Sequence, residues 1–507
     1  MRKGTLALAL ACVWASCSLF TGSNPAYCTL DAQCPEPAVC NLPKHACETP
    51  EARPDDPAIT AISPSAAARQ GGFEVTISGR NFDKLTQILF AGVPGTNLTI
   101  RSNSEVSITI PAGPGLCGLT TLTLKTSDGR TVRDSTHFRY RAANVQFPAG
   151  QMFVGPVGAG PATFITTRPR SVDYDDIMIG YANPTKSFSY VQIESSGTAK
   201  SELMITTGAS NMIEINKMAV ANVLPGAAPS LLVGNLMDRI VMYQATLNSS
   251  MTFLVPSDQP SVSSYVDYAI GDFDRDGKQD MAVLVSNAAS TSVNVYKSNV
   301  DGAYTVSTMG GPVSIGESGH LAVGDFDRDG YDDLVLASKA ASHVDILINN
   351  KLGGFTGPDV FITPGAANNV AVKDMDLDGL PDIVAFGTAG LSSPAVTVIY
   401  NAGSNGFMPV EMSTITGMAK QAALGDLDCD GLPDMVVYDG TRVKFYANTG
   451  RGTQFGAGVD LGAFATLALA IGAFGGDAQD DIALLQSSCS EVMPGKGCLR
   501  LLLNGSN

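Results

Sequence analysis

Four copies of one nine-residue pattern, Asp-x-Asp-x-Asp-Gly-x-x-Asp, constrain this chain more than any other feature. The copies span residues 272–280, 325–333, 374–382 and 426–434. Three carboxylates on alternate residues of one turn repel one another unless a cation lies between them. Carboxylate oxygens suit hard cations such as Ca²⁺, and the glycine at the sixth position permits the sharp turn that points them inward. The pattern therefore predicts four calcium sites.

The predicted ligands are the aspartates at positions one, three, five and nine of each copy. They are Asp272, Asp274, Asp276 and Asp280; Asp325, Asp327, Asp329 and Asp333; Asp374, Asp376, Asp378 and Asp382; and Asp426, Asp428, Asp430 and Asp434. An EF-hand requires a bidentate Glu at position twelve. That position holds the apolar residues Val283, Leu336, Ala385 and Val437. An apolar, β-branched run follows each copy, so each loop is expected to open into a strand and not a helix.

Degenerate copies of the pattern extend the repeat in both directions. They span residues 168–176, 222–230 and 473–481, which gives seven units at intervals of 47 to 54 residues. Each unit contains short apolar strands and no helical periodicity, as is typical of propeller blades. We therefore predict an all-β fold in which residues 142–507 form a seven-bladed β-propeller. We expect the fourth strand of the last blade to come from the region before residue 168, for example Thr163–Thr167.

These residues resemble the FG-GAP/VCBS repeats of integrin-α-type propellers, over about residues 145–507. The resemblance implies that the aspartates at positions one, three, five and nine bind Ca²⁺, with the backbone carbonyl of position seven. Three units depart from the motif because position one holds Arg168, Asn222 or Ala473. We expect no ion in the first two of these units and a weak ion or none in the third.

The N-terminus indicates export. Arg2 and Lys3 precede a short apolar run, so residues 1–16 are predicted to be a signal peptide. Ala15, Ser16 and Cys17 resemble a bacterial lipobox, in which Cys17 would be lipidated; a freely secreted protein is the alternative. The chain is thus expected in the cell envelope or outside the cell, with a membrane association only through the lipid anchor.

Cysteines are expected to form disulfides in this compartment. Residues 17–57 are a Cys-rich segment and linker too small for a core, so two disulfides are predicted there, with a zinc site as the alternative. A further disulfide is predicted in the last unit, whereas Cys117 and Cys429 either pair with each other or stay free. The predicted disulfide cysteines are Cys28, Cys34, Cys40, Cys47, Cys489 and Cys498.

Residues 58–141 alternate short apolar strands with Gly, Pro and Asn turns, which predicts an immunoglobulin-like β-sandwich. The segments 62–64, 71–72 and 75–82, together with the closing Phe138-x-Tyr140, resemble an IPT/TIG domain. The resemblance implies a spacer or a protein-contact module.

Charge and the remaining motifs exclude several functions. The formal net charge is −16, and the predicted ligands in the complete loops are 16 of the 48 acidic residues, with no basic stripe for nucleic acid. The four histidines are His45, His137, His320 and His343, and none belongs to a metal-ligand spacing or a nucleophile motif. The sequence places neither a carboxylate pair nor a histidine at a central channel, so no catalytic residues are predicted.

We therefore predict a cell-surface or secreted, calcium-stabilised binding or adhesion protein that is not an enzyme. Its partner would be an extracellular or envelope protein or a polysaccharide, presented to the connecting loops of the propeller. One alternative is a propeller enzyme that acts on polysaccharides as a lyase or hydrolase. Another is a structural subunit of an envelope complex.

Overall fold

The protein is described by a computed structural model, in which the chain divides into two compact units. The first contains Met1–Ser63, Glu74–Ile110 and Thr121–His137, and the second contains Pro64–Phe73, Pro111–Thr120 and Phe138–Asn507. The residues described are 39–41, 46–48, 53–113, 118–141, 152–153, 162–171, 174–181, 187–193, 199–206, 215–221, 230–235, 239–245, 253–257, 265–287, 290–298, 304–307, 319–337, 342–363, 367–387, 395–403, 406–408, 411–412, 415, 417–450, 454–474, 479–486 and 498–504. The predicted signal peptide lies outside them, as do Cys17, Cys28, Cys34, Cys117 and Cys489.

Strands dominate residues 39–141, with one 3₁₀ turn at Phe82–Lys84. The strands are β1 (Val39–Asn41), β2 (Ala46–Glu48), β3 (Ala58–Ser63), β4 (Ala66–Ala68), β5 (Glu74–Arg80), β6 (Leu85–Phe90), β7 (Val93–Pro94), β8 (Thr96–Ser102), β9 (Glu105–Thr109), β10 (Gly118–Leu119), β11 (Leu122–Thr126), β12 (Thr131–Asp134) and β13 (Arg139–Arg141).

Two four-stranded sheets of these strands form the body of the first unit. Their strand orders are β3-β5-β9-β8 and β12-β11-β6-β7. Each buries alternate residues, such as Val75 and Ile77 of β5 and Leu122 and Leu124 of β11. This alternation places one face of a sheet in a core and the other in solvent, as predicted for the sandwich. The remaining sheet, β10-β13-β4, belongs to the second unit.

The second unit continues with thirty strands. They are β14 (Met152–Phe153), β15 (Ala162–Ser171), β16 (Tyr174–Tyr181), β17 (Ser187–Ile193), β18 (Ala199–Thr206), β19 (Ile215–Ala221), β20 (Ser230–Asn235), β21 (Arg239–Ala245), β22 (Phe253–Ser257), β23 (Tyr265–Gly271), β24 (Asp280–Asn287), β25 (Ser290–Ser298), β26 (Tyr304–Ser307), β27 (His320–Gly324), β28 (Asp333–Ala337), β29 (His343–Asn349), β30 (Phe355–Ile362), β31 (Asn369–Lys373), β32 (Asp382–Phe386), β33 (Val396–Ile399), β34 (Glu411–Met412), β35 (Gln421–Gly425), β36 (Asp434–Tyr438), β37 (Val443–Tyr446), β38 (Asn448–Gly450), β39 (Gln454–Phe455), β40 (Val459–Gly462), β41 (Thr466–Gly472), β42 (Asp481–Gln486) and β43 (Cys498–Leu502).

The described strands from β14 onward form seven four-stranded antiparallel sheets. Five of them follow chain order, from β15-β16-β17-β18 to β31-β32-β33-β34. The sixth is β35-β36-β37-β40, with the hairpin β38–β39 inserted, and the seventh is β41-β42-β43-β14. We call the first strand of each sheet its inner strand, because inner strands contact the inner strands of neighbouring sheets. The inner strand β41 of the last sheet contacts β15 of the first, so the propeller fold is confirmed.

The second strand of a sheet shows why the sequence contains continuous apolar runs. All five residues of β28, β32 and β36 are buried, including Leu334, Val384 and Val436. These strands are covered on both faces, because the hydrophobic core lies between successive sheets. A strand buried on both faces has no solvent side on which polar residues would alternate.

The fourth strand of the last sheet comes from the start of the second unit, as expected, but from a different segment. Met152 and Phe153 pair with Arg500 and Leu499. The expected segment Thr163–Thr167 instead lies in β15, the inner strand of the first sheet. Ile165 of this segment is buried in the core shared by the first and last sheets. Strand composition alone did not distinguish an inner strand from an outer one.

Neighbouring inner strands approach one another closely where they end. A Cβ on Gly425, the last residue of β35, would lie 2.4 Å from a methyl carbon of Ile471 and 2.6 Å from a carboxylate oxygen of Asp480. A Cβ at Gly472 would lie 2.5 Å from a carboxylate oxygen of Asp175. The glycine before each of these loops is therefore required by the close packing of adjacent sheets.

Four of the cysteines lie in the described part of the chain. Cys429 and Cys498 each belong to a disulfide, so a free thiol at Cys429 is excluded. Cys40 lies directly opposite Cys47 in the register of β1 and β2. Within the described part of the chain, no helix is long and apolar enough to span a membrane.

Candidate metal-binding loops

Each of the four complete loops joins an inner strand to the second strand of the same sheet. In each loop, three aspartates offer oxygens that all lie within 4.8 Å of one another. These groups are Asp272, Asp274 and Asp276; Asp325, Asp327 and Asp333; Asp374, Asp376 and Asp382; and Asp426, Asp428 and Asp434. The other four predicted ligands, which lie outside these groups, are Asp280, Asp329, Asp378 and Asp430.

The same backbone bonds shape all four loops. The N–H of the position-six glycine donates to an oxygen of the position-one aspartate at 2.9 Å. The N–H of position seven donates to the position-five carboxylate at 2.8–2.9 Å. The position-six glycines have φ of 81–91°, which glycine adopts without strain. Position four is also left-handed, although it holds Arg275, Arg328, Leu377 or Cys429.

Some carboxylate oxygens in these loops are buried without a hydrogen-bond partner among the described residues. They include Asp374 Oδ1 and Asp426 Oδ1 at position one, and Asp280 Oδ2 at position nine. A buried, unpartnered carboxylate oxygen is costly. A divalent cation bound by oxygen ligands would satisfy these atoms, so the residues present fit such an ion.

Several of the loop carboxylates have raised pKa values. Burial, together with the other carboxylates of the same loop, raises the pKa of Asp333 to about 7 and that of Asp434 to about 8. Burial and neighbouring carboxylates likewise raise the pKa of Asp426 to about 7. Lysines approach other members of the loops: Lys297 Nζ lies 2.8 Å from Asp274 and Lys351 Nζ lies 2.8 Å from Asp329. The loops therefore concentrate negative charge that a cation would neutralise.

The position-nine aspartate has a structural role in addition to its predicted role as a ligand. It is fully buried in every unit in which it is described: Asp176, Asp280, Asp333, Asp382, Asp434 and Asp481. In the last four of these residues, one oxygen accepts the N–H of loop position two. The other accepts an N–H from the end of the third strand of the sheet, or just beyond it. The residue thus ties the loop to the sheet whether or not an ion is bound.

The degenerate units differ from the complete loops in the expected places. In the first, residues 168–171 still belong to β15, so only Val172 and Asp173 separate it from β16. Most of the second degenerate copy lies outside the described residues. In the last, Ala473 has no carboxylate at position one, although Asp481 keeps the position-nine contacts. The expectations for ions in these three units remain predictions.

Four asparagines link the loops to the next sheet. They lie at or just beyond the end of the third strand, and they were not predicted from the sequence. Each side-chain amide donates to the carbonyl of position two in the preceding loop, more than seventy residues away. The four asparagines are Asn349, Asn401, Asn448 and Asn504. Their signal was an Asn that recurs after the third apolar run, but the partner carbonyl cannot be read from the sequence.

Replacing Asn448 by Ala is expected to lower the free energy of unfolding by about 2–3 kcal/mol, because buried carbonyls lose their donor. Asn448 Nδ2 donates to Met375 O at 2.8 Å and to Pro433 O at 3.1 Å. Denaturant unfolding of the variant measures the loss. The matched control is Asn103→Ala, because Asn103 is exposed. Equal stability of the two variants would show that the hydrogen bonds of the Asn448 side chain do not stabilise the fold.

Arginines connect the loops in a second way. Arg275 and Arg328, at position four of the first two complete loops, each donate to the position-five carbonyl of the next loop at 3.1 Å. The third loop has Leu377 at position four. Beside the fourth loop, Arg139 of β13 takes the corresponding place, with Nη1 3.8 Å from Asp426 Oδ2. A Cβ on the position-six glycine of these three receiving loops would lie 2.6–2.8 Å from the arginine.

A separate polar cluster lies at the opposite ends of three inner strands. Lys217 of β19 donates to Asp267 of β23 at 2.6 Å, and His320 Nδ1 of β27 lies 3.3 Å from the same carboxylate. These residues precede the loop ends of their strands, so they lie towards the face opposite the aspartate loops. The three residues are 50 or more positions apart, so no local motif revealed them.

Comparison with known proteins agrees with this architecture. The model of FG-GAP-like repeats matches residues 272–336, 325–385 and 374–437, and the model of the IPT/TIG domain matches residues 57–140. A search of curated protein sequences found no match.

Solved structures resemble this chain at low sequence identity. The BP39L lectin from Burkholderia pseudomallei is 14% identical, with a TM-score of 0.50 over 69% of this chain and 98% of the lectin. A lectin from Agrocybe aegerita that recognises non-reducing terminal N-acetylglucosamine is 14% identical, with a TM-score of 0.44 over 75% of this chain and 94% of its own. A candidate 6-phosphogluconolactonase from Bacteroides uniformis is 11% identical, with a TM-score of 0.42 over 75% and 95% of the two chains.

Proposed function

Because this chain carries FG-GAP-like repeats and an IPT/TIG domain, we propose that it is an exported, calcium-stabilised binding protein whose ligand is a carbohydrate. The observation that carries the calcium assignment is the set of buried, unpartnered oxygens at Asp280, Asp374 and Asp426. Several carboxylates in one irregular turn favour Ca²⁺ over Mg²⁺, because Mg²⁺ demands near-ideal octahedral geometry. The ion would be held by the aspartates of each loop and would brace the propeller rather than react.

Several features support a binding role over catalysis. The aspartates of the loops are engaged by backbone N–H groups and basic side chains, which suits a brace. The similarity to the BP39L lectin establishes only a shared fold, but it makes carbohydrate the first ligand class to test. The IPT/TIG domain would act as a spacer or as a contact to another protein. A lipid at Cys17 would anchor the chain in the cell envelope, and without that lipid the chain would be secreted.

The test is a glycan array probed with the whole mature chain, once in calcium and once in EGTA. We expect a defined group of glycans to bind in calcium and binding to fall in EGTA, because the propeller loses its braces. The matched control is Asp460→Asn, which alters an exposed ion pair with Arg442 and should bind as the wild type does. If no glycan on the array binds in calcium and the chain instead captures an envelope protein, the carbohydrate ligand is rejected. The chain would then be a structural subunit of an envelope complex.

A polysaccharide-cleaving enzyme is the second candidate, and one observation favours it. The carboxylate of Asp267 holds His320 Nδ1, which is how a general base is oriented in many enzymes. Incubation with a panel of polysaccharides would then release new reducing ends or unsaturated products. Loss of that activity in His320→Gln would establish it, and unchanged polysaccharides would leave binding as the function.

A further inference from the structure

The cluster of Lys217, Asp267 and His320 joins three neighbouring sheets through a single carboxylate. Asp267 is 2% exposed, and its Oδ1 accepts Lys217 Nζ at 2.6 Å and the N–H of Tyr268 at 2.9 Å. Its Oδ2 accepts the N–H of Leu321 at 2.9 Å and faces His320 Nδ1 at 3.3 Å. One buried anion therefore positions a lysine on one side and a histidine on the other.

The two basic side chains remain accessible although the carboxylate is buried. The Lys217 side chain is 25% exposed and that of His320 is 49% exposed. An ammonium group has three donors, and among the described residues one of Lys217's goes to Asp267. Because His320 Nδ1 faces the carboxylate, Nε2 is the ring atom directed away from it. The cluster thus offers solvent an N–H donor with a positive charge and, beside it, an imidazole nitrogen.

The Lys217 ammonium is partly exposed and the Asp267 carboxylate is buried, so the charge that the ion pair presents to solvent is positive. Burial alone would raise the pKa of Asp267, but Lys217 and His320 outweigh it and hold the pKa at about 2, so the carboxylate stays ionised. The ring of Tyr268 lies 5.3 Å from Lys217 Nζ, which keeps the ammonium in place above an apolar surface. A ligand carboxylate would gain charge-assisted hydrogen bonds from Lys217, and an adjacent ligand hydroxyl could form a hydrogen bond with His320 Nε2. A uronic acid carries both groups on one ring.

We propose that the ends of β19, β23 and β27 form a binding site for a uronic-acid-containing saccharide. Lys217 pairs with the sugar carboxylate, His320 Nε2 forms a hydrogen bond with a ring hydroxyl, and Asp267 positions both side chains. The site lies away from the calcium loops, so ligand recognition and ion binding occupy opposite ends of the inner strands. This inference rests on the proposed carbohydrate-binding function and specifies its ligand class.

The test is isothermal titration of the whole mature chain, in calcium, with trigalacturonate and with its carboxyl-reduced counterpart. We expect the acidic saccharide to bind about tenfold more tightly than the neutral one, as one charge-assisted contact would give. The double variant Lys217→Met/Asp267→Asn removes both charges without leaving either one buried and unpaired, and it should abolish that preference. His320→Gln should weaken binding of both saccharides several-fold, because both carry the hydroxyl.

The matched control is His343→Gln. His343 also begins a strand and contacts an aspartate, with Nε2 3.4 Å from Asp345, but it lies outside the proposed site. It should bind both saccharides as the wild type does. A melting curve of each variant shows whether that variant is folded. If the double variant does not fold, His320→Gln alone tests the site, because the side chain of His320 is more exposed than that of Lys217 or Asp267.

The outcomes separate this inference from the proposed function. Array glycans that bind wild type and both site variants equally would overturn the uronic-acid site and leave the carbohydrate function standing. If no oligosaccharide binds, free glucuronate is titrated by NMR. Glucuronate binding that is lost in the site variants would support the site and the carbohydrate function together, and no glucuronate binding would overturn both.

Discussion

Removing calcium is expected to lower the melting temperature of the second unit by about 7 °C. Extracellular modules bind Ca²⁺ with a Kd of about 10⁻⁴–10⁻³ M. At ten times that concentration each ion adds about 1.4 kcal/mol to the free energy of unfolding, so four ions add about 6 kcal/mol. An unfolding entropy of about 2.1 cal/mol/K per residue converts this into the stated shift for a unit of this size. The loss would be comparable to the net stability of a whole domain.

Calorimetry in calcium and in EGTA measures the shift in melting temperature. Single variants measure the part of that shift that each ion site contributes. Asp374→Asn and Asp426→Asn each alter a position-one ligand whose Oδ1 is buried and unpartnered, so each should remove one ion and about a quarter of the effect. Asp460→Asn, in an exposed ion pair, should keep the full response. Superimposable melting curves with and without EGTA would reject calcium as the brace.

Replacing Asp481 by Asn is expected to lower the free energy of unfolding by about 3 kcal/mol, because one buried backbone N–H would then face another donor. Asp481 is fully buried, and its oxygens accept the N–H groups of Phe474 and Asn504 at 2.8 and 2.6 Å. Ala473 occupies position one of this loop, so the effect should be the same in calcium and in EGTA. Denaturant unfolding under both conditions measures it.

The matched comparison is Asp434→Asn, at position nine of the fourth complete loop. Asp434 makes the same two contacts and also belongs to a candidate ion site. This variant should lose stability in EGTA by a similar amount and lose more in calcium, because it also forfeits an ion. A calcium-dependent loss in Asp481→Asn would contradict the separate structural role of position nine.

Much of the fold and the candidate ion sites could be predicted because their determinants are local. The ligands of one loop lie within nine residues, and the glycine at position six has the positive φ that its turn requires. The alternation of β5 and the continuous apolar runs of β28 and β32 follow from burial on one face or on two. The sandwich and the repeated sheets were therefore predicted correctly from pattern alone.

The position-nine aspartate shows where local reasoning reached its limit. In sequence it has the same predicted role as positions one, three and five, because all four carry a carboxylate. Asp280 lies outside the group formed by the other three aspartates of its loop, whereas Asp333 lies inside its own. The difference depends on where the second strand begins and which backbone N–H groups reach the carboxylate.

By itself, the sequence determined the repeat, the strands and the four acidic loops, because each depends on neighbouring residues in the chain. Only the tertiary structure decided which strand completes the last sheet and which residues meet between sheets. Met152 and Phe153 pair with Arg500 and Leu499, and Asp267 contacts both Lys217 and His320, across separations that composition does not encode. Such contacts depend on how adjacent sheets pack and in which register. The proposed ligand site therefore became visible only in the folded protein.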